Sequence, residues 1–208
     1  MIPKIIHIIW VGDDSLRPDN NIMSWVRHHP DWTIKLWGNE ELENHPWTNA
    51  NHMVEMASRN QLCGVADLMR LEILYQEGGF YVDADSLCTK PLENWLFQSK
   101  AFACWENEIA VPGLIANTYI AAEPNNEFIG QMILDLQAMP ILPPGPAWST
   151  VGPLFLTNSY HKYKYNDMVI WPSHLFLPTH HTGQTYKGDP ISIFSSHEWG
   201  TTHNSYSK

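Results

Sequence analysis

QLCGVADLMRLEILYQEGGFYVDADS, residues 61–86, holds two periodicities joined by a pair of glycines. From Gln61 to Glu77 the apolar residues Leu62, Val65, Met69 and Ile73 recur at helical spacing, and Gly78 falls where a helix is capped at its C-terminus. Asp67 and Arg70 sit three apart on that helix and share a face, so the two charges are placed to pair. After the glycines the pattern changes to alternation. Read as a strand, FYVDAD sends Tyr81, Asp83 and Asp85 to one face and Phe80, Val82 and Ala84 to the other. Two carboxylates side by side repel, and a bound cation is the simplest compensation. Asp83 and Asp85 offer the hard oxygen ligands that suit Mg²⁺ or Mn²⁺, ions that complete their shells with water and phosphate. An isolated D-x-D is more often a solvated strand end, so the framing helix and glycines carry the reading.

Ile5–Val11 is a nearly continuous apolar, β-branched run ending at Gly12, the pattern of a strand buried on both faces of a parallel sheet. WTIKLW at 32–37 predicts a second strand, and Asn39 the cap of a short acidic helix. Strands near 102–106 and 114–121, a helix near 126–138, a short helix near 153–159 and strands near 168–171 and 191–196 extend the alternation. The prolines of MPILPPGPAW, 139–148, make a loop long enough for a lid. The expectation is one α/β domain over 1–208 with a mostly parallel central sheet flanked by helices: 1–90 ends in the D-x-D, and 91–208 completes the site.

The charge balance narrows the partners. Twelve Lys and Arg stand against 22 Asp and Glu, a formal net charge of −10, with no basic cluster. Nucleic acid, held mainly through its phosphates by cations, is a poor partner for such a chain. A phosphorylated small molecule is still accessible if a metal supplies the positive charge. Three cysteines without a C-x-x-C pair suggest neither a disulfide framework nor a zinc knuckle and fit a reducing compartment. The opening MIPKIIHIIWVG reads as a strand rather than a signal peptide, and no segment approaches the roughly 20 apolar residues of a membrane span. The expected location is cytoplasmic.

CGVADLMRLEILYQEGGFYVDADSLCTKPL (63–92), with IPKIIHIIWVG (2–12), closely resembles the glycosyltransferases with a DXD sugar-binding region, the family-32 type. NTYIAAEPNNEF (117–128) and VGPLFLT (151–157) extend the likeness over most of the chain. The resemblance implies a GT-A-type nucleotide-diphospho-sugar transferase fold and a metal-dependent retaining transfer from a UDP- or GDP-sugar. The acceptor would be a glycan, glycolipid or protein, and the setting polysaccharide biosynthesis. Position by position, it implies that Trp10 stacks on the donor base and that Asp67 and Arg70 contact the donor sugar and its phosphate or the D-x-D. Tyr81 lies near the donor, Asp83 reaches ribose and metal, Asp85 ligates the Mn²⁺ or Mg²⁺, and Asn117 lies near the sugar. His197 in FSSHEW becomes a third metal ligand and Trp199 closes over the donor, although His203 and Tyr206 align to the same pattern. His180 and His181 are left aside as ordinary surface or structural histidines.

Two other readings compete. FYVDADSL also resembles the strand of a haloacid-dehalogenase-type phosphatase with Asp83 as nucleophile and Asp85 as acid/base. A carbohydrate-binding module that lost turnover would use the many Trp rings for sugar stacking.

Overall fold

The computed structural model describes residues 1–189, 192–203, 205 and 206. The first half runs β1 (Ile5–Ile9), α1 (Asp19–His28), β2 (Thr33–Trp37), α2 (Asn39–Asn44), α3 (Ala50–Ser58), α4 (Leu62–Glu77), β3 (Gly79–Asp83) and β4 (Ser86–Cys88). The second runs β5 (Ala101–Trp105), β6 (Ile115–Ala122), α5 (Glu127–Gln137), α6 (Ala147–Thr150), α7 (Pro153–Tyr163), β7 (Met168–Trp171) and β8 (Ser195–His197). Six strands form one sheet in the order β2-β1-β3-β6-β5-β7, and β6 alone runs against its neighbours. Both halves of the chain thus contribute to a single, mostly parallel sheet. Its strands alternate between two cores. Ile9, Tyr81, Ile120 and Ala122 meet α4 and α5 on one side, while Ile6, Ile8, Phe80, Val82 and Tyr119 join Trp25, Phe176 and Phe194 on the other.

The glycine pair between α4 and β3 has a steric cause. Gly78 takes φ +65° and closes α4 through its N–H on the Leu74 carbonyl, 2.9 Å. Gly79 takes φ +106°, and a Cβ there would lie 2.7 Å from the Ile5 carbonyl oxygen and 3.0 Å from His7 Nε2. His7 is fully buried and fixed: Trp37 donates to its Nδ1 at 3.1 Å, leaving Nε2–H for the Gly78 carbonyl at 2.8 Å. Gly79→Ala combines backbone strain with a backbone clash, and we expect a loss of about 3 kcal/mol. Thermal melting should drop by roughly 6–12 °C for a chain of this size; an unchanged transition would refute the close approach.

Several expectations need correction. β3 ends at Asp83, and Ala84–Asp85 form a turn into β4, so Asp85 is not presented from the strand face. Gly38, not Asn39, is the capping residue of α2; the Asn39 side chain instead bridges both backbone groups of Gly12, at 2.8 and 2.9 Å. The first strand stops at Ile9, two residues short of Val11. Part of the strand expected at 191–196 lies outside the described residues, and β8 occupies 195–197. α1 and α3 were not anticipated. α1 buries Asn21 and Ser24 beside Ile22 and Trp25, so polar residues make up half of its buried positions. No helix among the described residues is long and apolar enough to cross a membrane.

Candidate active site

A cleft of about 510 Å³ opens at the carboxyl ends of β1 and β3, the place where open α/β sheets bind ligands. Trp10, Asp67, Arg70, Tyr81, Asp83, Asp85, Asn117, His197 and Trp199 line it, whereas His203 and Tyr206 are not among its lining residues. Asp83 is the last residue of β3, and Asp85 stands in the turn that follows. That turn is held from α1: Asn21 donates to the Asp85 carbonyl at 3.1 Å, Trp25 to the Ser86 carbonyl at 2.9 Å, and the Ser24 hydroxyl accepts the Cys88 N–H at 2.8 Å. The polar residues that α1 buries therefore have a definite role. They fix the second carboxylate.

β8 pairs antiparallel with β4, Ser86 opposite His197, and so delivers His197 from the far end of the chain. Its Nε2 lies 3.0 Å from Asp85 Oδ1 and 3.4 Å from Asp83 Oδ2. Ligand atoms of Asp83, Asp85 and His197 all fall within 4.8 Å of one another, the one such group of three or more found among the described residues. His197 Nε2 is buried and makes no well-directed hydrogen bond, as suits a nitrogen aimed at a shared ion. Two carboxylates and an imidazole make a donor set for Mn²⁺ or Mg²⁺. The backbone after β8 closes the group, with Glu198 N–H on the Asp85 carbonyl, Gly200 N–H on Asp85 Oδ2 at 2.8 Å, and Trp199 in the left-handed region at φ +58°.

Behind the carboxylates lies a buried ion network. Arg70, 4% exposed, places one guanidinium nitrogen 2.9 Å from Asp67 and 3.2 Å from Asp83, and donates another to the Asn117 carbonyl. Its plane lies over Tyr81, 4.2 Å from the ring centroid, and the Tyr81 hydroxyl donates to Asp83 at 2.7 Å. Asn117 donates its amide to Asp67 at 2.7 Å. This is a buried pair and not an ion pair on an exposed helix face. Burial pushes the Asp67 carboxyl up to about 6 despite Arg70. Burial presses on Asp83 in the same direction, but Arg70 and His197 outweigh it and hold that carboxyl well below its usual range. Gly152, within VGPLFLT, lets the start of α7 lie against this network: a Cβ there would stand 2.9 Å from Asp67 Oδ2.

His197 responds to the same field. Burial disfavours its charge, but Asp85 and Asp83 win and raise it to about 10. Charging the ring displaces the Trp199 N–H, 3.0 Å from Nδ1, at a cost of about 1 kcal/mol, less than two carboxylates in a buried site return. The folded value lies above the unfolded 6.5, so this stabilisation is complete below pH 6.5 and is lost as pH rises toward 10. In chelator, the melting temperature should fall between pH 6.5 and 9.5, and His197→Gln should flatten that slope. Equal slopes would refute the contact.

Trp10 presents its ring at the cleft, edge-on to Tyr206 at 5.0 Å, and Trp199 packs beside His197 at 4.8 Å. His180 and His181, set aside from the sequence, line the same cleft, and both rings contact Trp199. Glu106, at the start of a 106–118 segment expected to meet the acceptor but not itself named as a site residue, lines the cleft as well. Trp148, from α6 in the proline-rich segment, reaches the cleft while 54% exposed.

The family model for the glycosyltransferase sugar-binding region containing the DXD motif matches residues 16–102, the span that holds α4, the glycines and both aspartates. Residues 16–102 thus resemble the sugar-binding region of DXD-type glycosyltransferases. Inositol phosphoceramide mannosyltransferase 1 of Schizosaccharomyces pombe is 28% identical over 215 residues, covering 93% of this chain and 65% of that protein. Mannosyl phosphorylinositol ceramide synthase CSH1 of Saccharomyces cerevisiae is 27% identical over 179 residues, 79% of this chain and 44% of that protein. The chain thus spans less than two thirds of these curated relatives. A glycosyltransferase involved in glycosylation of the major capsid of PBCV-1 has a TM-score of 0.57 at 11% identity, covering 98% of this chain and 96% of that one. Galactosyltransferase LgtC, solved with donor and acceptor sugar analogues, has a TM-score of 0.53 at 13% identity, covering 93% and 86%. At such identities the likeness is one of fold, and the fold is GT-A. The match over residues 16–102 favours a glycosyltransferase over the phosphatase and binding-module readings. Asp83 also ends the third strand of the chain and is engaged by Tyr81, Arg70 and His197, a poor position for a phosphatase nucleophile.

Proposed function

We propose that this chain moves a sugar from a UDP- or GDP-sugar to a hydroxyl acceptor, with Mn²⁺ or Mg²⁺ held by Asp85, Asp83 and His197. The observation that carries the reading is the convergence of those three side chains at one end of a cleft walled by Trp10 and the Arg70 network. A divalent ion there supplies Lewis-acid stabilisation of the charge that develops on the departing diphosphate. It also reconciles an acidic chain with an anionic donor. The protein's own groups do the rest. Trp10 offers a ring for the base, Asp67 and Asn117 face the donor sugar, and Arg70 keeps Asp83 ionised and aimed. Trp199 and the residues after β8 cover the donor from the far side.

The transfer proposed is retaining and gives an α-linked product by front-face attack, the leaving diphosphate accepting the proton of the acceptor hydroxyl. The names of the relatives put mannosyl donors first, and a phosphoinositol-bearing glycolipid first among acceptors. The two segments, 1–90 and 91–208, divide the work: the first holds the donor, while the second completes the metal site and meets the acceptor. Nucleotide release from a panel of UDP- and GDP-sugars, with Mn²⁺, Mg²⁺ or EDTA, tests the reading. Metal-dependent release from one donor establishes it. No release from any donor, with phosphate release from simple monoesters, overturns it.

A further inference from the structure

Four carboxylates line the cleft: Asp67, Asp83, Asp85 and Glu106. Three are committed to the donor wall. Asp67 is tied to Arg70 and Asn117, Asp83 to Tyr81, Arg70 and His197, and Asp85 to His197 and the Gly200 N–H. Glu106 differs. Its Oε1 meets His180 Nε2 at 3.2 Å, and among the described residues no group hydrogen-bonds Oε2.

His180 is built to hold that carboxylate. The ring is 2% exposed, and the Thr182 N–H donates to Nδ1, with the Thr182 hydroxyl 2.8 Å away. Nδ1 is therefore the acceptor, and Nε2–H donates to Glu106. Burial lowers the affinity of His180 for a proton and raises that of Glu106, in keeping with a neutral ring beside a sheltered carboxyl. Glu108, two residues on, shows what a purely structural glutamate does here: Ser173 N–H donates to one of its oxygens and the Ser173 hydroxyl to the other.

Placement in the sheet adds direction. Glu106 follows β5, which lies across β6 from β3, so it stands two strand spacings, about 10 Å, from the line of Asp83. Val82 pairs with Tyr119, whereas the Glu106 N–H donates to the Leu114 carbonyl, so Glu106 also stands further out along β6. It therefore stands apart from Asp83 both across and along the sheet, on the side of the cleft where His180 and His181 contact Trp199. A neutral hydroxyl nucleophile needs a hydrogen-bond acceptor on that side, and a carboxylate oxygen sheltered from water makes a strong one.

We propose that Glu106 is the acceptor-side carboxylate of this cleft: its Oε2 takes a hydrogen bond from a hydroxyl of the sugar or polyol that receives the transferred sugar, and His180 positions it. The inference rests on the transferase reading. The test uses wild type and Glu106→Gln, which keeps the shape and the His180 contact, with matching melting curves as the folding control. Nucleotide release is measured from the active donor with water alone and with methyl α-mannoside or myo-inositol added. The same two compounds are probed by saturation-transfer NMR with nucleotide and Mn²⁺ present. We expect acceptor-stimulated release and the NMR signal to fall about ten- to a hundredfold in Glu106→Gln, while donor KM and donor hydrolysis stay within about twofold. Undiminished stimulation or signal overturns the proposal. So does an equal fall in donor hydrolysis, which would place Glu106 on the donor side, and so does the lack of any wild-type signal from either compound. Wild type that turns over no donor fails the transferase reading instead, and the NMR comparison still decides whether Glu106 binds hydroxyl compounds.

Discussion

Asp85→Ala should lower metal-dependent nucleotide release by about 10³-fold, because the ion's stabilisation of the leaving diphosphate amounts to several kcal/mol and Asp85 is central to its donor set. The physical content lies in what else the carboxylate does. Its Oδ1 faces His197 at 3.0 Å and its Oδ2 accepts the Gly200 N–H at 2.8 Å, so the substitution removes a ligand and loosens the segment that completes the site. Donor turnover by the variant should no longer respond to EDTA. A variant with more than about a tenth of wild-type release, still sensitive to EDTA, would place the ion elsewhere. Asp85→Asn separates the two roles: the amide oxygen can still accept from Gly200, so the melting temperature should recover while turnover stays low.

Arg70→Met has the second large effect, and it appears in stability before it appears in rate. Arg70 is buried against Asp67 and Asp83, and removing it leaves two sheltered carboxylates without their cation. Breaking a buried pair in this way costs about 3–5 kcal/mol. For a chain of 208 residues that corresponds to a fall of about 10 °C in melting temperature near neutral pH. Much of the loss should be recovered as the pH is lowered, since protonation relieves both uncompensated carboxylates. Arg70→Lys should rescue poorly, because a point charge cannot serve Asp67, Asp83 and the Asn117 carbonyl at once. A melting curve for Arg70→Met within about 2 °C of wild type would mean the network contributes little to the folded state.

How much of this was legible beforehand depended on whether a residue's partner lay near it in sequence. α4, the glycine pair and β3 form one local unit, and their two periodicities and the left-handed glycine conformations could be read directly. The elements that escaped, α1 and α3, are short, and both bury polar side chains: Asn21 and Ser24 in α1 and His52 in α3. In α1, Asn21 and Ser24 face inward because they hydrogen-bond the Asp85 turn and β4, partners 64 residues away. Asp85 itself was named as a candidate ligand and assigned to the wrong local structure. Alternation continues through Ala84 and Asp85 in the sequence, whereas the pairing of β4 with β8 makes the chain turn there.

The sequence by itself determined the α/β alternation, the hard-ligand pair and the identity of the charged and aromatic groups around it, because each depends on local periodicity or on chemical type. It could not decide between His197, His203 and Tyr206 for the third position. What brings His197 beside the two aspartates is an antiparallel pairing which sets Ser86 opposite His197, more than a hundred residues apart. Nor could it find Glu106 and His180. A carboxylate becomes informative when one of its oxygens is held and the other faces a cleft, and only the packing of a loop near residue 180 against the end of β5 creates that condition.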